Sequence, residues 1–523
     1  MVFAFLLLNT LASLRMKYLK LYFRKVFTVD LRALAVMRIW LAGIILIDLA
    51  IRATDLEAHY SNMGVLPLHV LHQHQWLPHL FSFHAMSGMW QFQAVLFAIA
   101  AVFALCLLIG YKTRLATIAS WLLLLSLQNR NLVIGQGGDD LLRMLLFWGI
   151  FLPWGRFYSY DATKKGQQLS SPSSDTTYFS AATAAYIVQV GLVYVSTALL
   201  KNSPEWQTDG TALYYALSLD QILMPVGRLI YPYPELLRVL TLSAYYTELL
   251  LPFLLLIPIY TNFFRMVVVG VLVSFHIGIS LTLFVGLFYL INIASVAGLL
   301  PPPAMDWIDR RLLSSFRRPN TGHFKKVFKR LRQPAPLSIQ VKLNRPLVPR
   351  HLLPQLRNGF VTVTLLYCIW WNLSGTHLPI HKLPDSSRWF GYLLRLDQHW
   401  GMFAPIVFRD DGWYILEGQT ATGNAIDLNQ QGKMVDDVKP ASVMSLFKND
   451  RWRKYSENYL FVNNAYLRPY YCNFMMRRWN EDNPSRPITQ LQVVYMKEPT
   501  LPDYQEQVPT REVLCICANE PER

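Results

Sequence analysis

The sequence predicts a multi-pass α-helical transmembrane bundle of about nine spans with a smaller β-rich C-terminal extracytoplasmic domain. Three observations lead there. Of 523 residues, 53% are hydrophobic and only 16% charged, against about 25% charged in soluble domains, and mean hydropathy is +0.24. The apolar residues fall into runs whose lengths approach the roughly 20 residues of a membrane span. The net charge of +16 is also unevenly placed. Residues 374–523 hold 17 basic and 18 acidic residues; taken from totals of 49 and 33, this leaves 32 basic and 15 acidic residues, or +17, on residues 1–373. The stretch Arg310 to Arg357 alone carries 13 Lys or Arg and no Asp or Glu. Between apolar runs, such a block reads as a cytoplasmic loop rather than a nucleic-acid arm. This composition excludes a wholly disordered chain and a small disulfide scaffold.

The N-terminal apolar run, Val2 to Leu14, is too short to cross and is followed by Arg15, Lys17, Lys20, Arg24 and Lys25. That order is the reverse of a signal peptide, so residues 1–27 read as an interfacial helix kept in the mature protein. Candidate spans follow at about 33–51, 90–110, 114–128, 139–154, 180–200, 238–259, 264–284, 285–301 and 358–373. Gly286 punctuates two of them and predicts broken or re-entrant helices. With the basic N-terminus inside, alternation puts Lys112, Arg114, Lys164, Lys165, Arg265 and the 310–357 block on the same side. The chain thus divides into 1–27, a bundle over 28–301, a basic loop over 302–357, a last span over 358–373 and an outer domain over 374–523. In that domain Gly412 to Gly418, the turn Thr422-Gly423-Asn424 and Ala425 to Leu428 read as a hairpin, and Leu491 to Met496 as a later strand. Gln505 to Arg523 reads as a disordered tail.

Ionisable groups within spans are costly and are functional candidates by default. Arg38 and Asp48 stand ten residues apart in the first span, about 15 Å along a helix, too far to pair with each other. Each needs a partner elsewhere, as a structural ion pair or as a catalytic group. Asp139, Asp140 and Arg143 follow Gly135-Gln136-Gly137-Gly138, where acidic residues cap a helix N-terminus. Glu248 and His276 lie inside later spans, and the histidine reads equally as a packing residue or a functional one. Lys201 ends the apolar helix that includes Gly191 to Leu200. It either complements the helix dipole and snorkels, or is a desolvated amine able to act as a base. The six histidines from His59 to His84 do not fit a helical metal motif. Cys106, Cys368, Cys472, Cys515 and Cys517 cannot all pair with one another. Cys515-x-Cys517 lacks the second half of a zinc motif, and no metal is expected.

Over roughly residues 28–428 the chain resembles the vitamin K-dependent γ-glutamyl carboxylase superfamily, in its bacterial-type HTTM (horizontally transferred transmembrane) branch. The resemblance rests on Arg38 and Asp48, on Lys201 followed by Trp206 and Asp209-Gly210, on Phe275-His276 and Ala294-Ser295, and on Trp400-Gly401-Met402-Phe403 followed by Asp411-Gly412. It implies a lyase-type quinone epoxidase. Lys201 as free amine would deprotonate a reduced vitamin K-type quinone, menaquinol or a related one, and O2 would add. The resulting strong base would take the γ-proton of a glutamate, and CO2 would trap the carbanion. Asn129, Arg130 and His276 would line the pocket; Trp400 and Met402 would make the outer-domain contact; Arg38, Asp48, Asp140, Arg143 and Glu248 would form structural ion pairs. The family's Asn-His pair reads Asn129-Arg130 here, and a family outer-domain histidine falls on Pro405. A guanidinium can stabilise an oxyanion but cannot exchange a proton near neutral pH. Much of the C-terminal region that holds a propeptide in the animal enzymes is also missing.

The charge pattern puts the N-terminus on the cytoplasmic side and the C-terminal domain outside; the resemblance adds an inner or plasma membrane location, membrane lipid and quinone as partners, and a glutamyl-containing secreted peptide as a further partner. Nucleic acid is not expected. The alternative is a non-catalytic membrane scaffold or export partner whose charges are packing ion pairs. A transporter built of inverted halves is disfavoured because no internal repeat is apparent.

Overall fold

Each of the nine apolar runs forms a helix, and their caps show why they begin and end where they do. The structure is a computed structural model and describes residues 2–164, 176–313, 352–505 and 507–518. Helix α1 spans Val2–Phe27. Helix α2, Leu31–Ala53, starts at Asp30, whose carboxylate accepts from the Arg32 amide at 2.8 Å. Helix α3, Trp90–Ile109, stops at Gly110, whose φ of +70° is the left-handed C-cap that glycine adopts without strain. Helices α4 (Thr113–Arg130) and α5 (Gly137–Gly149) follow, and α6, Ala181–Leu200, opens with a reciprocal Ser180/Thr183 capping box. Helices α7 (Pro234–Leu250), α8 (Thr261–Thr282), α9 (Phe288–Ala297) and α10 (Leu353–Ser374) complete the helical part.

Among the described residues, five helical stretches are long and apolar enough to cross a membrane: Leu31–Ala53, Trp90–Ile109, Ala181–Leu200, Pro234–Leu256 and Thr261–Thr282. A sixth is counted if Phe288–Ala297 and Pro302–Arg311, bent by 107°, are taken together. By length and composition, the described residues thus show five or six of the nine expected crossings. Arg114, Gln128, Asn129 and Arg130 make α4 too polar, α5 is only 13 residues long, and α10 carries Arg357, Asn358 and Asn372. Pro301-Pro302-Pro303 breaks the run after α9. Gly286 does interrupt the chain between α8 and α9, at a φ of +57°; a Cβ there would lie 2.3 Å from Asp450 Oδ2.

Basic segments gather at one end of the bundle. Arg32 pairs with Asp30, Asp306 and Asp309 at 2.7, 2.8 and 2.9 Å, and Arg265 Nη2 donates to the Val26 carbonyl at 2.7 Å. The Lys112 amide donates to Asp161 at 3.0 Å. Most of the 310–357 block lies outside the described residues. Arg38, fully buried, solves its burial with carbonyls rather than a carboxylate: it donates to Leu107, Leu108, Trp154 and Tyr158, gathering the end of α3 with the loop after α5.

The C-terminal part forms a five-stranded antiparallel sheet of β1 (Asp410–Thr420), β2 (Ala425–Asp427), β3 (Lys433–Met434), β4 (Ile488–Pro499) and β5 (Thr510–Ala518), in the order β3-β2-β1-β4-β5. The expected hairpin is β1–β2, with Gly423 at φ +84° in its turn, and the expected later strand lies inside β4. Helices α11 (Asp450–Leu460) and α12 (Arg468–Asp482) pack with the sheet, making this part mixed rather than simply β-rich. The disordered tail expected from Gln505 needs correction: Thr510–Ala518 is a strand paired to β4. Its mostly exposed side chains leave little alternation to read, and a disulfide from Cys517 to Cys472 on α12 ties it down. Those cysteines lie 45 residues apart, so the chain-entropy account assigns the bridge about 4 kcal/mol. Cys517→Ser should accordingly lower the denaturation midpoint of the sheet domain and speed its cleavage in limited proteolysis. An unchanged midpoint would show that strand pairing alone holds β5.

The sheet side docks on the opposite end of α2 from Arg32, about 24 Å away along the helix. Arg451 at the start of α11 enters the bundle, where Nη2 meets Asp48 at 2.7 Å and Nη1 meets Asp139 at 2.6 Å. Arg52 completes the square at 2.8 Å from Asp48 and 2.9 Å from Asp139. All four side chains are buried.

Candidate functional site

Asn202-Ser203-Pro204 ends the apolar helix α6, and Lys201 is its C-cap residue, with φ −81° and ψ 62°. The residue therefore leaves the helix axis at a fixed point rather than continuing along it. Its Nζ lies 2.6 Å from Glu248 Oε2 on α7, and both residues are buried, at 4% and 6% exposure. Pro204 starts the turn Pro204–Gln207, which brings the Trp206 ring within 3.9 Å of the same Nζ. Trp206 is held in turn by donating its Nε1–H to the Phe403 carbonyl at 2.9 Å. Gln207 ties the Lys201 carbonyl to the Tyr245 hydroxyl, at 3.2 Å each. Lys201 thus has one carboxylate partner and one aromatic face, with N–H capacity to spare for a ligand.

Tyr194 precedes Lys201 by seven residues, two helical turns, and so lies on the same face about 10 Å deeper. Its hydroxyl is 2.9 Å from His276 Nε2 on α8 and donates to Asn292 Oδ1 on α9 at 3.4 Å. His276 Nδ1 has no hydrogen-bond partner among the described residues, although the residue is 1% exposed. A cavity of about 1530 Å³ joins these groups. It is lined by Tyr194, His276 and Phe288, by Lys201 and Met402, and by Lys497 of the sheet. Comparison of the chain with family models, with curated proteins and with solved structures finds no match. What the site can do rests on its own chemistry.

The other expected site residues divide. Asn129 and Arg130 do not border the cavity. Arg130 is buried and donates to the Leu66 and Ser61 carbonyls at 2.9 and 3.3 Å, fastening the loop after α2. Asn129 donates to the Phe81 carbonyl at 2.8 Å and accepts from Arg395. It is Arg395 that reaches the cavity wall, beside Asp397, Asp140 and Arg143. Asp140 pairs with Arg143 at 2.6 Å, and Arg395 with Asp397 at 3.0 Å. Asp48 belongs to the Arg451 square, and Glu248 pairs with Lys201 itself. Met402 borders the cavity against Gly137, whose added Cβ would sit 3.3 Å from the Met402 sulfur; Trp400 is buried in the core at 1% exposure. The loop histidines scatter: His59 and His84 are buried, while His74 stacks on Tyr466 at 4.0 Å.

On the sheet-domain side of the cavity, Glu457 of α11 lies between Arg453 at 2.9 Å and Lys454 at 2.7 Å. Burial raises its carboxyl, but these two cations outweigh burial and hold it below the usual carboxylate range. Tyr194, Asn292, Arg395 and Asp397 were not singled out from the sequence. Only Tyr194 carried a signal, its two-turn spacing from Lys201.

Proposed function

We propose that this chain is an integral membrane enzyme that oxidises a reduced vitamin K-type quinone with dioxygen, in the manner of the carboxylase superfamily it resembles. The observation that carries the reading is the buried Lys201–Glu248 pair under the Trp206 ring, opening on the 1530 Å³ cavity. The residues present suit such a group. The cavity exceeds the roughly 300–1,000 Å³ of ordinary small-molecule pockets, leaving room for a ring with an isoprenoid tail. Its inner wall combines the apolar Val193 and Phe288 with Tyr194, Asn292 and the unpartnered Nδ1 of His276, a fitting end for a ring oxygen. When bound, a reduced quinone supplies two electrons and two protons, dioxygen accepts them, and one oxygen enters the quinone as the epoxide while the other leaves as water.

The chain's own residues then have distinct tasks. Lys201 in its free-amine form takes the substrate hydroxyl proton, and Glu248, in contact with Nζ, receives a proton from the ammonium and so resets it. Trp206 shields the amine from water and steadies its cationic form. Arg395 and Arg143 hold two carboxylates, leaving a polar but nearly neutral wall. Glu248→Gln keeps an acceptor for Nζ but removes the proton site, so turnover should fall about 10²-fold with protein yield unchanged. Turnover equal to wild type would remove Glu248 from the proton path.

The nine helical runs are proposed as membrane-embedded, with the N-terminus cytoplasmic and the sheet domain outside an inner or plasma membrane. The grouping of basic segments at one end and the Cys472–Cys517 disulfide at the other support this, since disulfides persist in oxidising compartments. Coupling to glutamyl carboxylation is the further step, with CO2 as co-substrate and a secreted peptide entering past Arg453 and Lys454 on the outer rim. Mass spectrometry of envelope peptides from cells with and without the protein tests it, by the mass of one CO2 on glutamate.

The non-catalytic scaffold keeps one observation in its favour: a lysine and glutamate 2.6 Å apart are also a self-sufficient structural pair. Purified protein without stoichiometric quinone, and without quinol oxidation, would favour the scaffold.

A further inference from the structure

Away from the Lys201 cavity, three carboxylates from different parts of the chain converge where the sheet meets the bundle. Asp220 lies in the turn after helix Ala212–Ser218, Asp411 on β1 and Glu498 on β4. One oxygen from each lies within 4.8 Å of the others. Asp411 and Glu498 are direct cross-strand partners, and like charges placed opposite each other destabilise a sheet unless something compensates. Lys439 compensates in part: its Nζ is 2.5 Å from Asp220 Oδ2 and also contacts Glu498 Oε2. It does not satisfy Asp411. That residue is 2% exposed; its Oδ2 accepts the Asp220 amide at 2.9 Å, and its Oδ1 has no hydrogen-bond partner among the described residues. A buried carboxylate oxygen left in that state has lost its hydration without a hydrogen bond in return, which is costly.

We infer that Asp220, Asp411 and Glu498 form a binding site for a divalent cation of the calcium class, which displaces Lys439. The donor set argues for this class. All three donors are hard oxygens, with no His or Cys to select zinc, and oxygens up to 4.8 Å apart fit metal–oxygen bonds of about 2.3–2.6 Å better than the tight octahedron of magnesium. Three carboxylates match the charge of a divalent ion with one unit in excess, whereas a single ammonium leaves two. Lys439 can yield its place because its side chain is 37% exposed and free to swing into solvent. The ion would pin the turn at Asp220 to the sheet, and the next two residues, Gln221 and Ile222, line the large cavity. The site would thereby brace the cavity's outer mouth without taking part in chemistry at Lys201.

Trp413, whose ring centroid lies 5.9 Å from Lys439 Nζ, supplies the readout, because it can sensitise terbium luminescence at the site. Purified full-length protein, stripped with chelator, should show saturable terbium luminescence excited through tryptophan, displaced by calcium at concentrations at least tenfold below those of magnesium. Asp411→Asn, checked for folding by size exclusion, should weaken terbium binding at least tenfold. Lys439→Gln, which removes the competing ammonium from a half-exposed position, should tighten it at least threefold. Absence of saturable luminescence in the wild type, including the case in which only Lys439→Gln binds, would overturn the proposal and leave Lys439 as the permanent counter-ion. Unchanged binding in Asp411→Asn would overturn it equally.

Discussion

Membranes carrying Lys201→Ala will form no quinone epoxide from hydroquinone and dioxygen above background, a loss of at least about 10²- to 10⁴-fold if the lysine is the base. The single variant has a second consequence. It leaves the Glu248 carboxylate, 6% exposed, without its cation, and removing one partner of a buried pair costs about 3–5 kcal/mol. Loss of activity alone would therefore not separate chemistry from unfolding. The double variant Lys201→Ala with Glu248→Ala does separate them, because it removes both charges and leaves no orphan. If the pair is catalytic, the double variant will recover stability, read as a melting midpoint closer to wild type, and will remain inactive. Recovery of epoxide formation along with stability would show that the pair serves packing only, and would transfer the reading to the scaffold.

The asymmetry between what could and could not be read from the chain has a physical basis. Local chemistry was legible: apolar runs gave helices, and Gly412 to Leu428 gave the β1–β2 hairpin, because span length, alternation and turn residues are written in consecutive positions. Lys201 could be picked out because a cation ending an apolar helix is costly wherever it lies. Its partner could not, since Glu248 is 47 residues away and nothing in the intervening sequence sets which faces of α6 and α7 meet. Arg130 illustrates the opposite error. Its position in a motif suggested the pocket, but the guanidinium points to the carbonyls of Leu66 and Ser61, and the cavity wall receives Arg395 instead. The β5 strand escaped because an edge strand with solvent on most side chains loses the alternation that marks buried strands, and because the Cys472–Cys517 bridge cannot be deduced from spacing.

Arg451→Met should be among the most destabilising single changes in the protein, about 3–5 kcal/mol, and should loosen the sheet domain from the bundle. In the native square two guanidiniums, Arg52 and Arg451, balance two carboxylates, Asp48 and Asp139, all buried. Methionine fills most of the volume but leaves Arg52 alone with two negative charges. The effect should appear as a lower melting midpoint and as faster proteolysis between Ser374 and Asp410, the stretch that joins α10 to the sheet. The charge argument makes a second, sharper demand. Adding Asp139→Asn to Arg451→Met restores one cation to one anion, and the asparagine oxygen keeps the bond from Arg52, while the Gln136 amide, which bonds the other Asp139 oxygen at 3.0 Å, gives up its acceptor. The double variant should therefore be more stable than Arg451→Met alone, even though Asp139→Asn by itself will destabilise the wild type. If the two changes merely add, the square is not an electrostatic unit, and the docking of the sheet domain must rest on packing instead, such as that of Trp452 and Tyr455 of α11 against the His59 ring at 4.4 and 6.2 Å.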